Sequence, residues 1–469
     1  MTVSTQTTEA RRLLLVLSAT IVGSAVVFLD STVVNLALPK IAADLHTNFA
    51  ALQWITDGYL LSLSALILLG GSLGDIFGRK RIYVVGLLGF AVTSLLCALA
   101  PSAAALVIAR TLQGIFGALI VPGALALINT NFAREDRGQA IGRWTAWTSI
   151  FFLLGPFVGG LILDVASWRW IFLLNLPLVA VCLALALPNV REGKDHRPRR
   201  IDYGGAGIAA LALAGITYGL IEGPVRHWDM WPVLALAAGS MLSASFIWWE
   251  RRSPDPMVEL NLFRSRNFSG SNLMTLAMYG ALAGYTFAVT IYLQTELGYS
   301  GLAAGLSLLP TSIIMFLFAA RVGKLAAVHG ARLFMTVGPI IAGLGIATFY
   351  NLNNGDSYLF HVLPGVLLFS LGLVLMVAPL TATVMNSVDE SQSGIASGIN
   401  NAVSRAAGLI VVALLGLFGS GHFFQFSIVL CAILAVVAGI ISFIWIEKEP
   451  VRTAPRLGRA ALIRADRRS

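Results

Sequence analysis

The chain has 469 residues, 57% hydrophobic and only 12% charged, with a mean hydropathy of +0.81. A soluble domain carries about 25% charged residues, so most of this chain belongs in lipid and little room is left for a soluble domain. The net charge of +9 does not point to nucleic acid, because the bases fall in short gaps between apolar runs, where they report membrane orientation.

A membrane span takes about 20 apolar residues. Runs of that size occur at about 13–37, 50–73, 82–100, 104–130, 141–163 and 168–188. The first follows Arg11 and Arg12; it is too long for a signal-peptide core and has no evident cleavage site, so it reads as a retained span. A charged link with Arg191, Lys194, Arg197, Arg199 and Arg200 comes next, then runs at about 203–222 and 231–250. A second link, Arg251 to Asn267, precedes runs at about 268–293, 301–320, 332–351, 357–385, 394–416 and 423–446. The expectation is an all-α integral membrane protein of fourteen transmembrane helices. Its parts are a six-helix bundle (1–190), a linker with two inserted helices (191–267), a second six-helix bundle (268–446) and a basic tail (447–469).

All but five of the 32 Lys and Arg fall at the termini and in alternate loops. Lys40, Arg169 and Arg226 lie in the opposite loops, and Arg110 and Arg405 lie inside spans. Both termini are therefore expected in the cytoplasm, with the chain in the cell membrane. Cys97, Cys182 and Cys431 each sit within an apolar run without metal-ligand spacing, as buried small hydrophobes do.

The gap after the second run, Gly71 to Arg81, holds Asp75, Arg79, Lys80 and Arg81. Gly70, Gly74 and Gly78 recur at four-residue spacing, which allows close approach of two backbones. Gly323 to Arg332 echoes the spacing of that loop without its acid, in the equivalent gap of the last six runs. Parallel halves are a known transporter plan.

Four positions inside spans carry chemistry. Asp30 lies about 26 Å along the first span, counted at 1.5 Å per residue, and an acid there must face a cavity or a partner. Burial disfavours the charged form, so such a group can load and release a proton. Arg110 cannot lose its charge and needs an acceptor; Asp30 and Asp57 stand at compatible depth, and Gln113 is one turn away. In the fifth span, Gly155, Pro156, Gly159 and Gly160 combine a bend with small faces for close packing.

These segments, Leu29–Pro39, Gly71–Arg81, Leu106–Gly117 and Leu154–Gly160, resemble those of the major facilitator superfamily, in particular its fourteen-helix drug:proton antiporter branch. The resemblance covers nearly the whole chain and is densest in the first six spans. It implies rocker-switch export of amphipathic drugs or antibiotics, driven by protons moving inward. Asp30, Asp57 and Arg110 would then couple protons, and Gly155, Pro156, Gly159 and Gly160 would form a hinge. Gly71, Gly74, Asp75, Gly78, Arg79 and Arg81 would form a conformational gate. Asp75 would dock on a helix start in the other half; the loop Asn386–Gly394, with Asp389 and Glu390 able to meet Arg79 or Arg81, offers that partner.

Trp54, Tyr59, Gln113, Trp147, Phe152, Met278 and Tyr279 are candidate pocket residues, with Met274, Tyr285 and Met315 behind them. Aromatic rings and methionine suit flat, variable ligands. Glu222 and Glu296 read as solvated span ends, and Arg405 has no nameable counter-charge. No G-x-x-x-x-G-K-[ST] stretch supports an ATP-driven pump and no H-E-x-x-H supports a zinc enzyme, so an enzyme is not expected. No cofactor beyond the proton gradient is expected, and a monomer suffices. A dedicated exporter of one metabolite, or an uncoupled facilitator, remains the alternative.

Overall fold

The computed structural model describes residues 3–193, 202–254, 256–353, 355–388 and 392–448. Among these residues the regular structure is helical. The first half comprises α1 (Val3–Asp44), α2 (Phe49–Phe77), α3 (Arg79–Ala98), α4 (Ala103–Asn131), α5 (Arg134–Val165), α6 (Arg169–Leu173) and α7 (Asn175–Asn189). The central pair is α8 (Tyr203–Val225) and α9 (Met230–Glu250). The second half comprises α10 (Arg266–Thr295), α11 (Gly301–His329), α12 (Ala331–Ala347), α13 (Leu363–Asn386), α14 (Ser393–Leu415) and α15 (Gly419–Trp445).

Twelve spans, one of them α6 and α7 together, are long and apolar enough to cross a membrane, and α2, bent by 51° beyond Ile67, makes a thirteenth. The fifth expected span is α5, whose apolar stretch is Leu154–Val165. Fourteen crossings are compatible with this order. Side-chain caps start the helices where the sequence supplies them: Asn48, Ser102, Ser265 and Ser300 each accept from a backbone N–H in the first turn of α2, α4, α10 and α11.

Two ends of the bundle can be told apart. Arg12 of α1 donates to the Asn131 side chain (3.0 Å) and to the Asn189 carbonyl (3.0 Å), and Arg79 reaches Thr130 (2.7 Å). These define the basic end. At the far end Asp44 accepts from Trp168 (2.8 Å) and Arg169 (2.6 Å), and Lys40 donates to the Leu163 carbonyl. Leu29, Val33, Leu36 and Ala37 of α1 share one core with Ala281, Ala288 and Val289 of α10. A separate core of Val16, Tyr83, Leu87, Leu127 and Cys182 lies within the first half.

The central pair packs on itself and onto α2. Gly215 and Gly239 bring α8 and α9 into backbone contact: a Cβ on Gly215 would lie 2.7 Å from the Ala235 carbonyl oxygen. Leu220 and Ile221 of α8 bury against Ala50 and Ala413. The outer helix α9 exposes Val233, Leu234, Met241 and Ile247. Such a face is unsuited to water and suited to lipid.

Asp389, Glu390, most of the charged link after Gly193, and the tail beyond Lys448 lie outside the described residues.

Candidate functional site

The sequence leaves Arg110 a choice of two acids, and the fold selects Asp30. Arg110 Nη1 lies 2.5 Å from Asp30 Oδ2, with both residues only 1% exposed. The guanidinium also donates to Gln113 Oε1 (2.6 Å) and to the Ile55 carbonyl (3.3 Å), and its carbon stands 4.1 Å from the Tyr59 ring centroid. The other oxygen of Asp30 accepts from Asn175 Nδ2 (2.9 Å) and Gln113 Nε2 (3.3 Å). Ser94 Oγ receives a bond from each of those amides, at 2.8 Å from Gln113 and 3.2 Å from Asn175. Every strand of this network supports an ionised Asp30. A buried charge pair persists only when its remaining bonds are made, and here they are.

Asp57 is the opposite case. It is fully buried on α2, and neither carboxylate oxygen has a hydrogen-bond partner among the described residues. A bare carboxylate charge is very expensive in such a place, so the neutral acid is the form that fits.

The predicted hinge residues face two ways. A Cβ on Gly155 would lie 2.1 Å from Thr32 Oγ1, and one on Gly159 would lie 2.5 Å from Val33 Cγ1. These glycines press α5 against α1 immediately beyond Asp30. Gly160 faces the second half, where a Cβ would stand 2.6 Å from the Gly301 carbonyl oxygen, and Pro156 O would meet a Cβ on Gly305 at 2.2 Å. Asp164 completes the junction by accepting from Ser300 Oγ (2.8 Å) and the Leu302 N–H (3.3 Å). Gln53 of α2 donates to the Val412 carbonyl (2.7 Å), and Gln294 of α10 to the Leu36 carbonyl (3.0 Å). These contacts between the halves lie at the far end.

At the basic end the predicted gate is engaged within its own half. Asp75 pairs with Arg79 at 2.7 Å, and Glu192 Oε1 and Oε2 accept from the Lys80 and Arg81 backbone. The three evenly spaced glycines do different work. Gly70 alone approaches another helix, with a Cβ placed 2.2 Å from the Ala118 carbonyl oxygen. Gly74 and Gly71 meet Arg79 and Pro122 at ordinary distances of 3.7 and 3.8 Å. Gly78 turns the chain at φ +110°, which favours glycine. Gly330 does the same at φ +88° between α11 and α12, so the echo seen in sequence is a repeat in backbone geometry. Gly70-Gly71-Ser72-Leu73-Gly74 also spells G-x-S-x-G, but a nucleophile elbow needs a strand-to-helix turn, and these residues continue α2.

The candidate pocket residues scatter. Tyr59 and Gln113 belong to the Asp30 network, and Met278 and Met274 are buried core of the second half. Tyr285 packs edge-on against Phe349 and at a tilt against Phe369, and Met315 packs against the same core. Trp147 is 53% exposed, and the Phe152 side chain lies outside the described residues. Trp54 bonds Glu222 of α8 (2.8 Å), so Glu222 is a docking partner for the central pair and not the solvated end expected. Of the candidates, Tyr279 lines a groove, with Thr381, Met385, Ser397, Asn401 and Ser404. Asn175, Ser94, Glu192, Asp164 and Gln53 escaped the sequence reading; polar residues inside apolar runs were the only signal for the first two.

Residues 20–412 match the family model of the Major Facilitator Superfamily. The chain is 35% identical over 408 residues to multidrug resistance protein Stp of Mycobacterium tuberculosis, covering 87% of this chain and 76% of the relative. It is 33% identical to the tetracenomycin C resistance and export protein of Streptomyces glaucescens (85% and 69% covered). It is also 33% identical to puromycin resistance protein pur8 of Streptomyces alboniger (84% and 79% covered). Its fold is similar to that of the POT family transporter PepTSo, with a TM-score of 0.70 at 14% identity over 93% of this chain and 97% of that one. The chain therefore belongs to the Major Facilitator Superfamily and is a membrane transporter, not an enzyme.

Proposed function

We propose that this transporter exports amphipathic small molecules, drugs or antibiotics among them, in exchange for protons and by rocking its two halves about a central site. Both termini are placed in the cytoplasm by the basic loops, so the far end is the outer face. On this reading the junction of α5 with α11 closes the outer side, and the groove at Tyr279 is reached from within.

The contrast between the two acids carries the coupling. Asp30 is saturated by Arg110, Gln113 and Asn175, while Asp57 has no hydrogen bond among the described residues. Asp57 holds its proton in this state. Asp30 gains one only when Arg110 lets go, and that release is tied to movement of α1, on which Gly155 and Gly159 rest. Two acids held in opposite protonation states give the cycle a group that delivers a proton and a group that awaits one. Asp75 would leave Arg79 to engage the other half when the inner side closes. No cofactor is required, and one chain provides the whole pathway.

The relatives' resistance and export names support the substrate class. Expression in an efflux-deficient bacterial strain tests it, with a panel of ethidium, puromycin and tetracenomycin C. Raised inhibitory concentrations for two or more unrelated compounds are expected, and Asp30→Asn abolishes them. Protection against none of the panel at normal membrane expression contradicts broad export.

A further inference from the structure

Asp30, Asp57 and Arg110 are buried within the spans, and Arg405 on α14 is partly buried. Asp30 and Arg110 satisfy each other. Among the described residues Asp57 makes no hydrogen bond and no ion pair, so it does not offset the positive charge of Arg405. Arg405 makes no hydrogen bond and no ion pair among the described residues, and its Nε is buried without an acceptor. Among the described residues, its polar surroundings on the first half are limited to the Tyr59 side chain, and the Phe28 ring on α1 stands 6.0 Å from the guanidinium carbon. The side chain thus reaches from the second half toward the first, two residues short of Asp30.

The contrast with Arg110 is informative. A structural arginine in this protein is surrounded by a carboxylate, an amide oxygen, a backbone carbonyl and a tyrosine face. Among the described residues Arg405 has no carboxylate, amide or carbonyl acceptor, only the Phe28 ring and the more distant Tyr59. It sits on α14 beside Ser404, the last member of the polar groove formed with Tyr279, Thr381, Ser397 and Asn401. Asn400 holds that stretch of helix in place by donating to Thr275 (2.8 Å) and Asn272 (3.2 Å) of α10. No acid on α11 between Leu302 and Ala320 offsets the charge.

The geometry points to Arg405 as the receptor for a carboxylate on the transported compound, so that this exporter prefers anionic amphiphiles to cationic ones. A guanidinium in a low-dielectric cleft forms its strongest bonds with a planar carboxylate. The Phe28 face takes the apolar body, and a cationic ligand meets an unscreened like charge. The proposal rests on the export reading only in calling the bound compound a substrate; binding itself needs neither protons nor transport.

The test is equilibrium binding to the purified full-length chain in lipid nanodiscs, with no gradient. Three probes share one polycycle and differ in charge: 1-pyrenebutyrate, 1-pyrenebutanol and 4-(1-pyrenyl)butylamine. Wild type is expected to bind the carboxylate about tenfold more tightly than the alcohol, and the amine most weakly. Arg405→Gln removes the preference for carboxylate over alcohol while leaving alcohol binding within about twofold, and Arg405→Lys retains part of it. Because Arg405 makes no hydrogen bond or ion pair among the described residues, Arg405→Gln melts no lower than wild type, which separates lost recognition from lost folding. Equal binding of the three probes, tighter binding of the amine, no binding of pyrenebutyrate, or a carboxylate preference that survives Arg405→Gln each overturns the assignment. An Arg405-dependent preference in a protein that moves no protons would uphold this site and contradict the coupling reading alone.

Discussion

Asp30→Asn should destabilise the protein even though it removes a charge from the membrane interior. The variant leaves Arg110 buried with Gln113 and the Ile55 carbonyl as acceptors but with no counter-charge. Breaking a buried pair from one side costs about 3–5 kcal/mol, whereas replacing both members is often neutral. Unfolding entropy of about 2.1 cal/mol/K per residue over a chain this long converts 1 kcal/mol to about 1 °C. Asp30→Asn and Arg110→Gln should each lower the melting temperature by about 3–5 °C, and the double variant by about 2 °C or less. Thermal unfolding of the four proteins in one detergent, followed by tryptophan fluorescence, reads this directly. Single variants that melt with wild type, or a double variant that falls by the sum of both, would refute the reasoning that Asp30 is ionised and held by Arg110.

Further outcomes follow from the same geometry. Asp57→Asn should melt within about 1 °C of wild type, because a neutral amide replaces a neutral acid that makes no bond; a loss of several degrees would mean that Asp57 is charged. Gly160→Val should fold but fail to bring α5 against Gly301, so cysteines introduced near Ser300 should gain reactivity toward a membrane-impermeant thiol reagent; unchanged reactivity would remove the junction from the closure. Gly78→Ala combines a left-handed backbone with Glu192 oxygens 2.9 and 3.1 Å from the new methyl group, and should cost about 1–2 kcal/mol. An unchanged melting temperature for that variant would count against the turn.

Much of this was readable before any coordinates, and the reasons differ by residue. The spans follow from run length, and the depth of Asp30 and Arg110 from helical rise. Their pairing stayed open because Asp57 stands at similar depth, and helix rotation, not depth, decides between them. Asn175 was invisible because one amide in an apolar run has many uses until its partner is known. The junction of Gly160 with Gly301 joins residues far apart in sequence, and no local pattern announces it. Trp54 and Glu222 each look like ordinary interfacial residues, and only the docking of α8 on α2 brings them together. The glycines around Gly74 share one spacing but not one role, since rotation about the helix axis and the turn at Gly78 assign them separately.

Proton movement through the two acids is the heart of the account, and acid-loaded proteoliposomes carrying an internal pH dye measure it. Adding a compound that the resistance panel identifies should release protons from vesicles containing wild type. Asp30→Asn and Asp57→Asn should bind the same compound and release none. Release that persists at the wild-type rate in both variants would contradict coupling through these acids, and a wild type that moves the compound without moving protons would contradict antiport itself.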